Sequence, residues 1–222
     1  MQKLLVQDIC KSFGSHTVLD QVSFKAEAGK AMGLLGRNGA GKTTTIRIIM
    51  QVFPPDRGQV QLDGKPLHAN AVSIGYLPEE KGLYPKFKIG GQLVYLGQLR
   101  GLSRRDAVRS VRYWLERLAL ADYYDKKLET LSKGNQQKIQ LALALLANPE
   151  IIILDEPFSG LDPVNAQLLK QIVREQVDAG KIVLFSSHQM SYVEQFCDEV
   201  ALLNRGKIIL QGNLRQIKRA SA

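Results

Sequence analysis

The stretch Gly36-Arg37-Asn38-Gly39-Ala40-Gly41-Lys42-Thr43 spaces its glycines and ends in a lysine and a hydroxyl side chain, a combination suited to gripping phosphate. Glycines let the backbone curl so that successive N–H groups point inward with no Cβ in the way. A helix that begins at such a loop presents its positive N-terminal end to the same anion. Lys42 can then span the β- and γ-phosphates of a nucleotide, the Thr43 hydroxyl can ligate Mg²⁺, and Thr44 follows as a further candidate for the nucleotide site. The plainer reading is a glycine-rich turn with a chance Lys-Thr. Against it, the loop lies between an apolar run, Ala31 to Leu35, and the helix-like Thr43 to Met50.

A second chemical site is written in Ile151-Ile152-Ile153-Leu154-Asp155-Glu156-Pro157. An apolar strand that ends in a carboxylate delivers it to the C-terminal edge of a sheet, where open α/β sheets hold their ligands. Asp155 is therefore the natural Mg²⁺ partner, and Glu156 is free to accept a proton from an attacking water. The bland alternative is an ordinary acid pair closing a strand.

These residues need a frame. Leu4 to Ile9, Val22 to Lys25 and Gly58 to Leu62 are strand candidates between turn residues. From about Gly90 to Leu146 the pattern turns helical. Ser103 and Asp106 form a capping-box-like start, and Ala107, Val108, Val111, Trp114, Leu115 and Leu118 share one face. Ile151 to Leu154 is apolar throughout, as a buried parallel strand requires. Asp162-Pro163 opens a helix that should end near Gly180, Lys181 to Ser186 is another buried strand, and Val200 to Leu210 reads as a hairpin turning at Arg205-Gly206. The pattern is one α/β nucleotide domain with a helical lobe.

The 222 residues suffice for a substantial core, and 45% hydrophobic with 23% charged residues is ordinary globular composition. The richest apolar region, Ile139 to Leu154, is interrupted by Gln140, Asn148, Pro149 and Glu150, short of the roughly 20 apolar residues of a membrane helix. Met1-Gln2-Lys3 runs into a strand without a secretory leader pattern, and two cysteines, Cys10 and Cys197, suit a reducing cytosol. The net charge of +9 is scattered apart from Arg104-Arg105 and Lys218-Arg219, so it reads as a solvated surface and no nucleic-acid partner is expected. A protein working against a cytoplasmic leaflet gains from the same bias.

Further motifs narrow the choice among ATPases. Leu131-Ser132-Lys133-Gly134-Asn135-Gln136-Gln137 resembles the signature sequence of the ATP-binding-cassette family, Ser159-Gly160-Leu161-Asp162 its loop after the second acidic motif, and His188 its switch histidine. Phe13, followed by Gly14 and Val18, sits where that family stacks an aromatic ring on adenine. The resemblance covers the whole chain in the right order. It implies a P-loop hydrolase core with a mostly parallel sheet and an N-terminal antiparallel β subdomain (residues 1–80 and 149–222). A helical, signature-bearing subdomain (81–148) completes a single domain over 1–222. It also implies ATP and Mg²⁺ as ligands, and a head-to-tail pair, homodimer or paralogous heterodimer, sharing two ATP.

In that resemblance Ser132, Lys133, Gly134 and Asn135 cover the γ-phosphate held by the other subunit, Asp162 links the two sites, Glu156 polarises the water and His188 holds γ-phosphate and water in line. Taken alone, Ser132 and Asp162 read as helix caps and His188 as a satisfied polar residue. Two departures stand out. Lys133 and Asn135 replace the commonest Gly and Gln, and Glu79 follows Tyr76-Leu77-Pro78 where the family usually carries a metal-contacting Gln. Glu79 has an oxygen at the same reach and adds negative charge beside the phosphates. Leu77 to Pro85 together with Lys133-Gly134-Asn135 resembles a bacterial branch that pairs with export-type permeases for small ions, antibiotics or peptides. Members of that branch often continue past the core, so an end at Ala222 fits a shortened or a minimal version. The expected protein is a transporter motor at the inner face of the cell membrane, with Tyr84 and Phe87, between Gly82 and Ile89, facing a cytoplasmic helix of the permease. The alternative, a cassette ATPase serving ribosomes or DNA, calls for two cassettes or a long coiled-coil insertion, and the lobe has no sustained heptads. A nucleotide-binding regulator without turnover would not need Glu156 and His188.

Overall fold

Apolar residues at every second position drive the first two strands together. The computed structural model describes residues 2–68, 72–80, 82–158 and 161–220. β1 (Lys3–Phe13) and β2 (His16–Glu27) pair antiparallel, turning at Gly14, whose φ of +60° suits glycine. They bury Leu4, Val6, Ile9, Leu19, Val22 and Phe24 on one face. After β3 (Ala31–Leu35) and α1 (Lys42–Ile49), the strands β4 (Arg57–Leu62) and β5 (Lys65–Pro66) complete a four-stranded sheet in the order β2-β1-β4-β5.

The central sheet is built from β3, β6 (Ile74–Leu77), β7 (Ile151–Asp155), β8 (Ile182–Ser187), β9 (Glu199–Asn204) and β10 (Lys207–Asn213), in the order β10-β9-β3-β8-β7-β6. All neighbours are parallel except β10, which returns from β9 through Arg205 and Gly206, both at positive φ. Every residue of β7 and β8 is buried. Met32, Leu34, Ile151, Ile153, Ile182 and Leu184 face α1 and the antiparallel sheet. Ile152, Leu154, Val183 and Phe185 face the helices on the other side.

Those helices are α2 (Ile89–Leu99), α3 (Arg104–Arg117), α4 (Lys133–Leu145), α5 (Pro163–Asp178), α6 (Met190–Phe196) and α7 (Leu214–Ala220). The region from 90 to 146 resolves into three helices and two short 3-10 turns, at Ala121–Tyr123 and Leu128–Thr130. Gly101 and Ala119, at φ +89° and +55°, end α2 and α3 in left-handed turns. The expected Ser103 cap forms: its Oγ accepts from the Asp106 amide at 3.1 Å and donates to Asp106 Oδ2 at 2.7 Å. Asp162 caps α5 by accepting from the amides of Val164 and Asn165, both at 3.0 Å, with Pro163 in the first turn and Gly180 beyond the end. The apolar faces of α2 to α4 merge with the sheet face formed by Leu77, Ile152 and Leu154 in one continuous core. No helix among the described residues is long and apolar enough to cross a membrane.

β6 and α4 touch through Gly75, where an added Cβ would lie 2.2 Å from the Ala144 carbonyl oxygen and 2.7 Å from Pro149 Cγ. We expect Gly75→Ala to lower unfolding free energy by about 1–3 kcal/mol, through overpacking at this junction, as read from the urea midpoint at unchanged slope.

Candidate functional site

The loop between β3 and α1 wraps around the lysine that closes it. Gly41 caps α1 at φ +110°, and a Cβ there would meet Leu19 Cδ2 at 2.5 Å. A Cβ at Gly36 would meet the Leu203 carbonyl oxygen at 2.5 Å, so the loop passes too close to β9 for any side chain at that position. Lys42 turns back across the loop and donates to the Gly36 carbonyl oxygen at 2.8 Å. Val18, Arg37, Asn38, Gly39, Gly41, Lys42, Thr43, Thr44 and Glu79 line a cleft of about 310 Å³ at the mouth of this loop. Ala40 is buried beneath it.

Both acids at the end of β7 reach the loop from below. Asp155, 1% exposed, accepts from Thr43 Oγ1 at 3.4 Å and from the Tyr76 hydroxyl at 3.4 Å, both on Oδ2, while its Oδ1 accepts from Ser186 Oγ. Burial first, and the Asp155 charge second, push the Tyr76 phenol up to about 12, so it remains a donor at neutral pH. Glu156, 6% exposed, lies 3.4 Å from Lys42 Nζ and 2.9 Å from His188 Nδ1, both through Oε1, and its Oε2 accepts from Ser187 Oγ at 3.3 Å. An ionised carboxylate only accepts, so His188 Nδ1–H donates to Glu156, and His188 Nε2 lies 3.4 Å from the Gln189 side-chain nitrogen Nε2. Glu156 itself adopts φ +48°, rare for a residue with a side chain, and its amide donates to the Ser186 carbonyl oxygen at 3.1 Å. Behind this turn Phe158 packs on Phe196, Tyr192 and Phe185 with ring centroids 4.1, 4.8 and 5.4 Å away.

Thus Lys42, Thr43, Asp155, Glu156 and His188 are brought together, and Glu79 opens onto the same cleft. Phe13 is not among the residues that line the cleft: it is half exposed, with its ring edge-to-face on Phe53 at 5.7 Å and Lys11 Nζ 5.7 Å from its centroid. Ser132, Lys133, Gly134, Asn135 and Asp162 stand apart. Ser132 caps α4 by accepting from the Asn135 amide at 3.3 Å, and Gly134 lets the start of α4 approach the start of α5, where its Cβ would be 3.4 Å from Asn165 Nδ2. The backbone amide of Asn165, above all, holds the Asp162 carboxyl below the usual range. Among the described residues Gln137 of α4 reaches the chain just after Glu156: its Nε2 donates to the Pro157 carbonyl oxygen at 2.9 Å. Ser159 and Gly160 lie outside the described residues.

Sequence reasoning named neither Tyr76, Ser186 and Ser187 nor Phe53 and Gln137 as site residues. The two serines and Tyr76 carry a readable signal, polar groups at the C-terminal ends of otherwise apolar strands. A larger cleft, about 420 Å³, opens between α5, α6 and β10. There Arg174 pairs with Asp178 and Asp198, Glu194 pairs with Lys218, and Lys170 stands over the Phe196 ring, whereas the loop that ends in Lys42 and Thr43 lines the smaller one.

The donor set suits a hard cation: one hydroxyl and one carboxylate at close range, with no cluster of three or more His, Cys, Asp or Glu among the described residues. Mg²⁺ keeps most of its water and takes one or two protein oxygens plus phosphate, and Thr43 and Asp155 would be those oxygens.

The profile of the family described as ABC transporter matches residues 19–159. The uncharacterized ABC transporter ATP-binding protein YhaQ of Bacillus subtilis (strain 168) is 48% identical over 218 residues, covering 98% of this chain and 73% of that protein. The Nod factor export ATP-binding protein I of Burkholderia lata is 34% identical over 210 residues, covering 93% of this chain and 69% of that protein. A solved structure of an ATP binding subunit of an ABC transporter superposes with a TM-score of 0.88 at 31% identity, over 98% of this chain and 92% of its own.

Replacing Lys42 by Ala removes the buried cation of the loop and leaves the exposed Arg37. Loss of a charged hydrogen bond of about 1.5–3 kcal/mol predicts ATP affinity at least about tenfold weaker in a fluorescent-nucleotide titration, with far-UV circular dichroism unchanged.

Proposed function

Because the chain belongs to the ABC transporter family, as an ATP-binding and ATP-hydrolysing subunit, we propose that it closes with a second copy or a paralogue around two Mg²⁺–ATP and drives export through a separate membrane permease. The observation that carries this reading is the convergence of Lys42, Glu156 and His188 at the loop that ends β3, with Thr43 and Asp155 beside them.

In this reading Gly36 to Thr44 cradle the phosphates, and Phe13 stacks on adenine with Val18 beneath it. Glu79, Thr43 and Asp155 would hold the metal, which would supply positive charge against that building up on the phosphates. Glu156 accepts the proton of the attacking water. His188, now hydrogen-bonded to Glu156, exchanges that contact for the γ-phosphate when nucleotide enters. Lys42 does likewise, trading its buried contact with Glu156 for phosphate oxygens, which frees the carboxylate to act as base. Ser132 to Asn135 and Asp162, remote from this cleft at paired helix N-termini, are suited to a nucleotide brought by the partner.

We read residues 1–222 as one domain, with 1–80 and 149–222 forming the core and β subdomain and 81–148 the helical subdomain. Tyr84 and Phe87, each 62% exposed and packed against one another at 5.6 Å, offer an aromatic contact for the permease. Their exposure, and a relative whose name specifies export, support a motor working at the inner membrane face.

Glu156→Gln is expected to lower ATP hydrolysis at least about 100-fold and, with ATP present, to shift the protein from monomer to dimer on a sizing column. An unchanged rate would remove Glu156 from the role of base, and a persistent monomer at high ATP would remove the pair. Pull-down from native membranes is expected to bring down an integral membrane protein, and Tyr84→Ala with Phe87→Ala to reduce its recovery. A ribosomal or DNA-repair partner in its place would overturn the transporter reading.

A further inference from the structure

Asp155 is a buried carboxylate, and no lysine or arginine forms a salt bridge with it among the described residues. A buried ion is stable only when hydrogen-bonded or paired. Here hydroxyls alone do that work, and the sheet register explains why. In the parallel pairing of β7 with β8, Asp155 stands opposite Ser186, and in that of β6 with β7, Tyr76 stands opposite Ile153. Side chains alternate along a strand, so Ile153 and Asp155 share a face and Tyr76 shares it with them. Ser186 Oγ donates to Oδ1 from one flank, and the Tyr76 hydroxyl donates to Oδ2 at 3.4 Å from the other. Thr43 reaches the same Oδ2 from the phosphate loop. Ser186 Oγ also accepts from the Glu156 amide at 3.3 Å, which ties the carboxylate to the turn that follows it.

We infer that Ser186 and Tyr76 are positioning residues for the metal that accompanies ATP: their hydroxyls fix the plane of the Asp155 carboxylate and thereby set how tightly the site holds the cation. The inference rests on the reading of Asp155 as a metal partner. Neutral hydroxyls orient the carboxylate without cancelling its charge, so the full negative charge is kept for the cation. A lysine at the same place would orient it equally well and repel the metal.

The test is the binding of Mn²⁺, a paramagnetic substitute for Mg²⁺, to the full chain with a non-hydrolysable ATP analogue, followed by electron paramagnetic resonance. In parallel, metal-free nucleotide affinity is titrated in chelator. Loss of one hydrogen bond predicts Mn²⁺ binding weakened about five- to tenfold by Ser186→Ala and about two- to threefold by Tyr76→Phe. Metal-free nucleotide affinity stays within about twofold, and Ser186→Thr, which restores the hydroxyl, returns Mn²⁺ affinity to within about twofold of the parent. Mn²⁺ affinity unchanged in both variants overturns the inference, as does a parallel fall in metal-free nucleotide affinity. Should Ser186→Ala fail to fold, Tyr76→Phe carries the measurement. Asp155→Asn separates the two layers. If it leaves Mn²⁺ binding unchanged, the metal role of Asp155 itself falls; if it weakens binding while the hydroxyl variants do not, only the positioning role falls.

Discussion

Lys42 and Glu156 sit 3.4 Å apart in a place where water scarcely reaches either of them. A cation and an anion taken out of water together gain little net stability, because desolvation offsets most of their attraction, yet removing either one strands the other. The rest of the site is arranged around this constraint. The loop from Gly36 curls until its carbonyl can accept from the lysine, and Ser187 and His188 take the remaining valences of the glutamate. Each partner is satisfied before nucleotide arrives, and the carboxylate that Lys42 contacts is one that a triphosphate can replace with another anion.

The parallel sheet makes that arrangement possible by bringing four strand ends to one edge. β3 delivers the loop, β6 the Tyr76 hydroxyl, β7 both carboxylates and β8 two serines and the histidine after them. Apolar residues fill both sheet faces up to that edge, so the polar groups are confined to the last turn of chain. This confinement is why Asp155 and Glu156 are buried although they lie at the rim of the sheet.

Much of this was legible in the sequence, for physical reasons. The all-apolar run before Asp155 could only be a buried strand, and Ser103, Asp162-Pro163 and Gly180 mark helix ends by local chemistry that needs no tertiary contact. The glycine-rich loop ending in Lys42-Thr43 and the acid pair after the apolar run were equally plain as patterns. β6 was not: four residues between a turn and Pro78 show no period, and only pairing with β7 makes them a strand. α6 was missed because Val193 is its one buried residue. The hydroxyl partners of the acids were missed because their chemistry lies in register, Ser186 across from Asp155 and 31 residues away in the chain. Within the helical region the break at Gly101 is followed by the Ser103 cap that the sequence shows, whereas the break at Ala119 has no residue type to announce it.

The helical lobe shares its core with the sheet: Leu93, Leu115 and Ile139 belong to the same apolar cluster as Ile152, Leu154 and Phe185. A lobe with its own core could swing on a flexible hinge, with the sheet unaware of it. One that shares a core can move only by shear, as packed side chains slide past one another in steps of an ångström or so. Any such step displaces α4, and Gln137 carries the displacement to Pro157, one residue beyond Glu156. Mechanically the molecule is therefore closer to a stiff lever resting on a close-packed bearing than to two bodies on a string.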